Sequence, residues 1–157
     1  MDICVVLGSK SDLPISNKCT SILEEFNIDF EVRVASAHRA PKYLEGIISE
    51  AITDGCQLFI GMAGMAAALP GVIASMTTLP VIGVPVGGKV PLDSLLSIVQ
   101  MPPGMPVATV GVDRGDNAAV LAIQMLAMSN SDLAANLAEW RAEKTAKVIA
   151  DDESLRD

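Results

Sequence analysis

Five short apolar runs, Ile3–Leu7, Phe30–Ala35, Gln57–Ile60, Val81–Val86 and Val107–Val110, recur along a chain of 157 residues. Each is too short for a helix, several are β-branched, and segments of helix length separate them. Strands that alternate with helices pair in parallel, because each right-handed crossover carries its helix over a sheet face. Such strands are covered on both faces and read as continuous apolar runs. Half the residues are hydrophobic and only 3% aromatic, which suits small branched side chains packed between layers.

This pattern predicts an α/β fold: a three-layer flavodoxin-like domain with a five-stranded parallel sheet and an extra C-terminal helix. The length suits one domain over residues 1–157 and is too short for two ordinary ones. Helices are expected over Pro14–Asn27, Pro41–Asp54, Ala66–Met76, Leu92–Val99, Asn117–Met128 and Asp132–Ala150. Asp12 is expected to cap the first helix, and Ser131 or Asp132 the last, with Pro14 and Pro41 in opening turns. Asn27 and Gly55 stand where helices should stop. The last helix, with the single Trp140, follows a completed sheet and either packs back on the domain or reaches a neighbouring subunit. Residues 151–157, crowded with Asp151, Asp152, Glu153 and Asp157, read as a frayed acidic tail.

A net charge of −8, without a basic stripe or aromatic platform, argues against a nucleic-acid partner. Gly and Pro interrupt the apolar stretches, so no membrane span is expected, and Met1-Asp2 leads directly into a strand without room for a signal peptide. Cys4, Cys19 and Cys56 lack metal-ligand spacing and read as reduced, buried thiols, which predicts a cytoplasmic protein. The chain shows no Walker motif, dinucleotide fingerprint or zinc spacing, so neither metal nor organic cofactor is expected.

In open parallel sheets, ligands bind beyond the carboxyl ends of the strands, and the loops there are unusual. Gly8-Ser9-Lys10-Ser11-Asp12 runs into a helix, where exposed amides and hydroxyls suit a phosphate. Asp12 would repel that phosphate and suits a ribose hydroxyl or its own helix. Ser36-Ala37-His38-Arg39 holds the only histidine, which exchanges protons near neutrality, beside an arginine able to clamp an anion with two hydrogen bonds. The Gly61–Gly71 loop is nearly free of polar side chains and suits a flat ring or a small neutral gas kept from water. Further loops, Pro85–Lys89 and Gln100–Gly104, follow the fourth strand, and Met62, Met65, Met101 and Met105 read as packing.

Four motifs together resemble the PurE family over residues 3–148. They are Gly8-Ser9-x-Ser11-Asp12, Ser36-Ala37-His38-Arg39, Gly61-x-Ala63-Gly64-x-Ala66-Ala67 with Leu69-Pro70-Gly71, and Ser97-x-Val99-Gln100-Met101-Pro102-x-Gly104-x-Pro106-Val107. The resemblance implies conversion of N5-carboxyaminoimidazole ribonucleotide to its 4-carboxy isomer in purine synthesis, without metal or cofactor. It also implies a homo-octamer with shared sites. By that resemblance His38 is the general acid and base, and Ser9, Asp12 and Arg39 bind the ribonucleotide. Ser11, Ser36, Ala63, Gly64 and Met101 complete the substrate positions, with carbon dioxide as the transient partner. Mutase-type members usually carry histidine where this chain has Ala68, whereas Arg39 favours the mutase over animal-type carboxylases, which have lysine there. A direct carboxylase and a non-catalytic nucleotide-binding module are the alternatives.

Overall fold

A computed structural model describes residues 1–156, which fall into two compact units, Met1–Ala122 and a second from Ile123 onward. In the first unit the strands are β1 (Ile3–Leu7), β2 (Phe30–Val34), β3 (Leu58–Gly64), β4 (Val81–Val86) and β5 (Ala108–Thr109). Helices α1 (Leu13–Glu25), α2 (Pro41–Thr53), α3 (Leu69–Met76) and α4 (Pro91–Val99) connect them, and α5 (Gly115–Ala127) follows β5. All pairings are parallel, in the order β2-β1-β3-β4-β5, the flavodoxin-like arrangement expected.

Alternation along β1 builds the layers. Cys4 and Val6 join a buried cluster with Leu44 and Ile48 of α2, Ile73 of α3 and Ile98 of α4. Ile3, Val5 and Leu7 point the other way and are equally buried, toward the face that α1 covers with Cys19 and Leu23. β3 is longer than Gln57–Ile60 because both its neighbours hold it: Met62 pairs with Leu7 and Val84, and Gly64 with Val86. The third loop therefore begins as sheet, and α3 starts at Leu69 rather than Ala66.

Two of the expected caps differ. Asp12 makes no side-chain cap to α1, because its carboxylate accepts from Ser9 N in a capping box around a 3-10 turn, Lys10–Asp12. The last helix, α6 (Ser131–Glu153), is capped by Asn130, whose side chain accepts from Leu133 N. Pro14 and Pro41 do open α1 and α2, and Asn27 and Gly55 leave their helices with φ 53° and 84°, the left-handed stop. In the second unit α6 continues through Asp151, Asp152 and Glu153, where a frayed tail was expected, and Arg156 pairs with Asp152 one turn back. Asp157 lies outside the described residues. Lys144 sits 4.6 Å above the Trp140 ring on the same helix. Among the described residues no helix is long and apolar enough to cross a membrane.

Candidate active site

Parallel register brings the carboxyl ends of neighbouring strands side by side, and the unusual loops with them. Leu7 pairs with Val34 on one side and Met62 on the other; past it, Ala35 N donates to Leu7 O and Gly8 N to Met62 O, both 2.9 Å. A Cβ at Gly8 would stand 3.6 Å from Ala63 Cβ and 3.7 Å from Asp12 Oδ2, so the first and third loops touch. Gly64 lies against Val86, whose carbonyl is 3.1 Å from its missing Cβ.

The first loop is a closed polar network. Ser9 N donates to Asp12 Oδ2 at 3.0 Å, and Ser9 Oγ accepts from Ser11 N at 3.3 Å. The Ser11 hydroxyl is shared between Ser9 Oγ at 3.0 Å and Asp12 Oδ1 at 3.2 Å. Asp12 is buried, and burial raises its carboxyl pKa even against the Ser11 hydroxyl and the Ser9 amide, which lower it. Ser9 is half-buried and Ser11 exposed, so this turn presents hydroxyls at the opening and a carboxylate beneath.

The second loop leaves the edge strand β2 as a turn closed by Ala40 N donating to Ser36 O at 2.9 Å. Ser36 Oγ accepts from Arg39 N at 3.2 Å and from Arg39 Nε at 3.3 Å. One hydroxyl thus fixes both backbone and guanidinium of Arg39, leaving the terminal guanidinium nitrogens for an anion. His38, between them, is exposed.

The wall beyond is apolar. Met101 packs on Gly71, where a Cβ would stand 3.2 Å from Sδ and 3.3 Å from Cε; any side chain at 71 would lift that methionine. Met62 is core, but Met65 and Met105 are 73% and 42% exposed, so the four methionines do not form one packing cluster. Met65 holds φ 57° at the end of β3, a conformation unbranched side chains adopt at some cost. Among the described residues no three His, Cys, Asp or Glu side chains are grouped to hold a metal.

Structure thus joins Ser9, Ser11 and Asp12 in one network with Ala63 beside the neighbouring Gly8, Ser36 and Arg39 in a second group, and Met101 to the third loop through Gly71. The loop after β5 lies outside the candidate loops expected from the sequence; there Asp113 adopts φ 59° and accepts from Gly87 N. Its signal was the turn-like Asp113-Arg114-Gly115-Asp116.

The AIR carboxylase profile matches residues 2–147 and so crosses both compact units. A Methanocaldococcus jannaschii protein named N5-carboxyaminoimidazole ribonucleotide mutase is 54% identical over 99% of this chain and 98% of its own length. A phosphoribosylaminoimidazole carboxylase of Candida glabrata is 45% identical over 92% of this chain but only 26% of its own. Among solved structures, Treponema denticola PurE superposes with TM-score 0.91 at 26% identity, covering 99% of this chain and 98% of the other. By its profile match, its relatives and its fold, the chain belongs to the AIR carboxylase, or PurE, family.

Proposed function

We propose that this protein is a mutase that converts N5-carboxyaminoimidazole ribonucleotide to 4-carboxy-5-aminoimidazole ribonucleotide in de novo purine synthesis. One observation carries the reading. Two anion-suited turns, Ser9–Asp12 and Ser36–Arg39, leave adjacent strand ends with the sole histidine in one of them and an apolar loop alongside.

The roles follow from chemistry. Ser9 and Arg39 take the phosphate, the Asp12 carboxylate accepts from ribose hydroxyls, and Ser36 orients Arg39. Protonated His38 donates to the exocyclic nitrogen as its bond to the carboxyl carbon breaks, releasing carbon dioxide. The backbone at Ala63 and Gly64, with Met101, walls in that gas. The enamine-like ring carbon attacks it, and neutral His38 removes the ring proton to restore aromaticity, ending protonated as it began. Acid–base help of this kind is typically worth roughly 10²–10⁴-fold, and confinement of the gas supplies much of the rest.

The whole chain 1–157 acts as one catalytic unit in this reading, in the cytoplasm, on a small-molecule substrate and without nucleic acid. Leu92, Leu96 and Val99 form an exposed apolar stripe on α4 at helical spacing, with Met105 exposed just beyond. That stripe supports assembly with further copies, a homo-octamer with shared sites, which light scattering tests. A direct carboxylase using free carbon dioxide is the second reading, favoured by Ala68 and by the likeness to the yeast carboxylase.

Steady-state formation of the 4-carboxy product separates the two. One assay supplies the N5-carboxylated substrate at low bicarbonate; the other supplies the uncarboxylated ribonucleotide with bicarbonate, each beside His38→Asn. Turnover in the first that the variant loses is expected. Efficient turnover of the uncarboxylated ribonucleotide at modest bicarbonate would establish the carboxylase, and a folded protein silent in both would be a binding module.

A further inference from the structure

Asp113 does what a strand would do if β5 were longer. β5 has two residues, and its ladder to β4 is continued by Val110 N donating to Gly83 O at 3.1 Å. A regular parallel ladder would next bring residue 112 to Pro85 O; instead the chain gains a residue and Asp113 N makes that bond at 2.9 Å. Asp113 then turns left-handed, φ 59°, and its Oδ1 accepts from Gly87 N at 2.9 Å. One residue thereby holds both Pro85 and Gly87, the neighbours of Val86 on either side. Its fit is close: a Cβ at Gly87 would stand 3.0 Å from Asp113 Oδ2 and 3.1 Å from Val112 Cγ1. The Asp113 carbonyl also lies 3.4 Å from Lys18 Nζ of α1, a second hold on the turn.

Val86 is the residue against which Gly64 rests, in register and with its carbonyl 3.1 Å from the place of a Gly64 side chain. Resting on the mutase reading above, we infer that Asp113 is a positioning residue: by pinning Gly87 and Pro85 it sets Val86, and through it the Gly64 wall that retains carbon dioxide. It touches no reacting atom. Its effect belongs in the partition of the intermediate, recapture against escape, because a misplaced wall opens a way out for the gas before the ring carbon attacks it. A left-handed turn favours Gly, Asn or Asp at this position, and the pin needs a side-chain acceptor; Asp and Asn supply both.

The test compares wild type with Asp113→Asn, Asp113→Ala and Asp113→Gly, all checked as folded by circular dichroism. The readout is the share of consumed N5-carboxylated substrate that appears as uncarboxylated ribonucleotide, corrected for uncatalysed loss. Misplacing a confining wall acts strongly, so that share is expected to rise about threefold or more in the Ala and Gly variants. Asp113→Asn should match wild type. The Gly variant tolerates φ 59° without strain, so a rise there reports the lost hydrogen bond and remains readable if Asp113→Ala does not fold. An unchanged partition in Asp113→Gly overturns the inference, as does Asp113→Asn behaving like the Gly variant. A merely destabilised protein loses active enzyme without changing the partition. Hydrogen exchange at the Gly87 amide is the independent arm and should quicken in Asp113→Gly; unchanged exchange removes the pin. Wild type that makes no 4-carboxy product sinks the mutase reading instead, and the exchange arm still decides the anchor.

Discussion

Gly83, in the middle of β4, has no space for a methyl group. A Cβ there would collide with Ile98 Cγ2 and stand 2.9 Å from Val107 Cγ1, with Pro70 Cβ at 3.4 Å. Carbon atoms rest at about 3.5–4.0 Å, so the Val107 contact alone is roughly 0.6–1.1 Å too short, and the Ile98 overlap is deeper. Ile98 is fully buried on α4 and its Cγ2 is fixed to a branched Cβ, so no simple rotation clears it. Gly83→Ala therefore pushes α4 off the sheet, at the upper end of overpacking costs, about 2–3 kcal/mol. For a chain of this size that lowers the melting temperature by about 4–12 °C, measured at fixed protomer concentration. Met101, two residues beyond α4, leaves its seat on Gly71, so activity falls as well. Ile98→Ala alone should cost about 2–5 kcal/mol, yet the double variant should fall short of the sum by about 1 kcal/mol or more, since the new methyl enters the space vacated. An unchanged melting temperature in Gly83→Ala, or a pair additive within about 0.5 kcal/mol, would refute the clash.

Asp12 has a raised pKa from burial, so the folded chain holds its proton more tightly than the unfolded one. Stability is then lost as pH rises through the raised value and regained as pH falls back toward the ordinary carboxylate range. Asp12→Asn should remove that dependence and melt higher at neutral pH while raising KM for the ribonucleotide; a lower melting temperature would contradict it. Burial pushes the Cys4 and Cys19 thiols up to about 12 and raises Cys56 as well, so an aromatic disulfide reagent should label none in the native protein and all three in denaturant. Rapid native labelling would show these thiols accessible. Met65 is exposed at φ 57°, so Met65→Gly should be neutral or stabilising by about 1 kcal/mol, whereas branched Met65→Val should destabilise; chemical denaturation gives both signs.

The strands were legible where branched residues crowd: β1 and β4 lie on Ile3–Leu7 and Val81–Val86 as expected. β3 was read short because Gly61, Ala63 and Gly64 lack the side chains that mark a strand; pairing on both sides, a tertiary effect, extends it. The Asp12 and Asn130 caps turned on which side chain reaches which amide, and neighbouring Ser, Asp and Asn residues all qualify on sequence. His38, Arg39 and the Ser9–Asp12 turn stood out because a plain connection does not call for an imidazole, a guanidinium and paired hydroxyls on adjacent strand ends, even though Ser9 and Asp12 also close their own turn. Asp113 did not, since its partner Gly87 lies 26 residues away in sequence.

The measurement closest to the central claim follows the carboxyl carbon itself. N5-carboxylated substrate bearing carbon-13 in its carboxyl group is turned over in excess unlabelled bicarbonate, and the 4-carboxy product is read by mass spectrometry. A gas confined beside Gly64 and recaptured in the same turnover leaves the label in the product. Product carrying the bicarbonate's unlabelled carbon would mean that the carbon dioxide equilibrates with solvent, and the confined-intermediate mutase would be wrong.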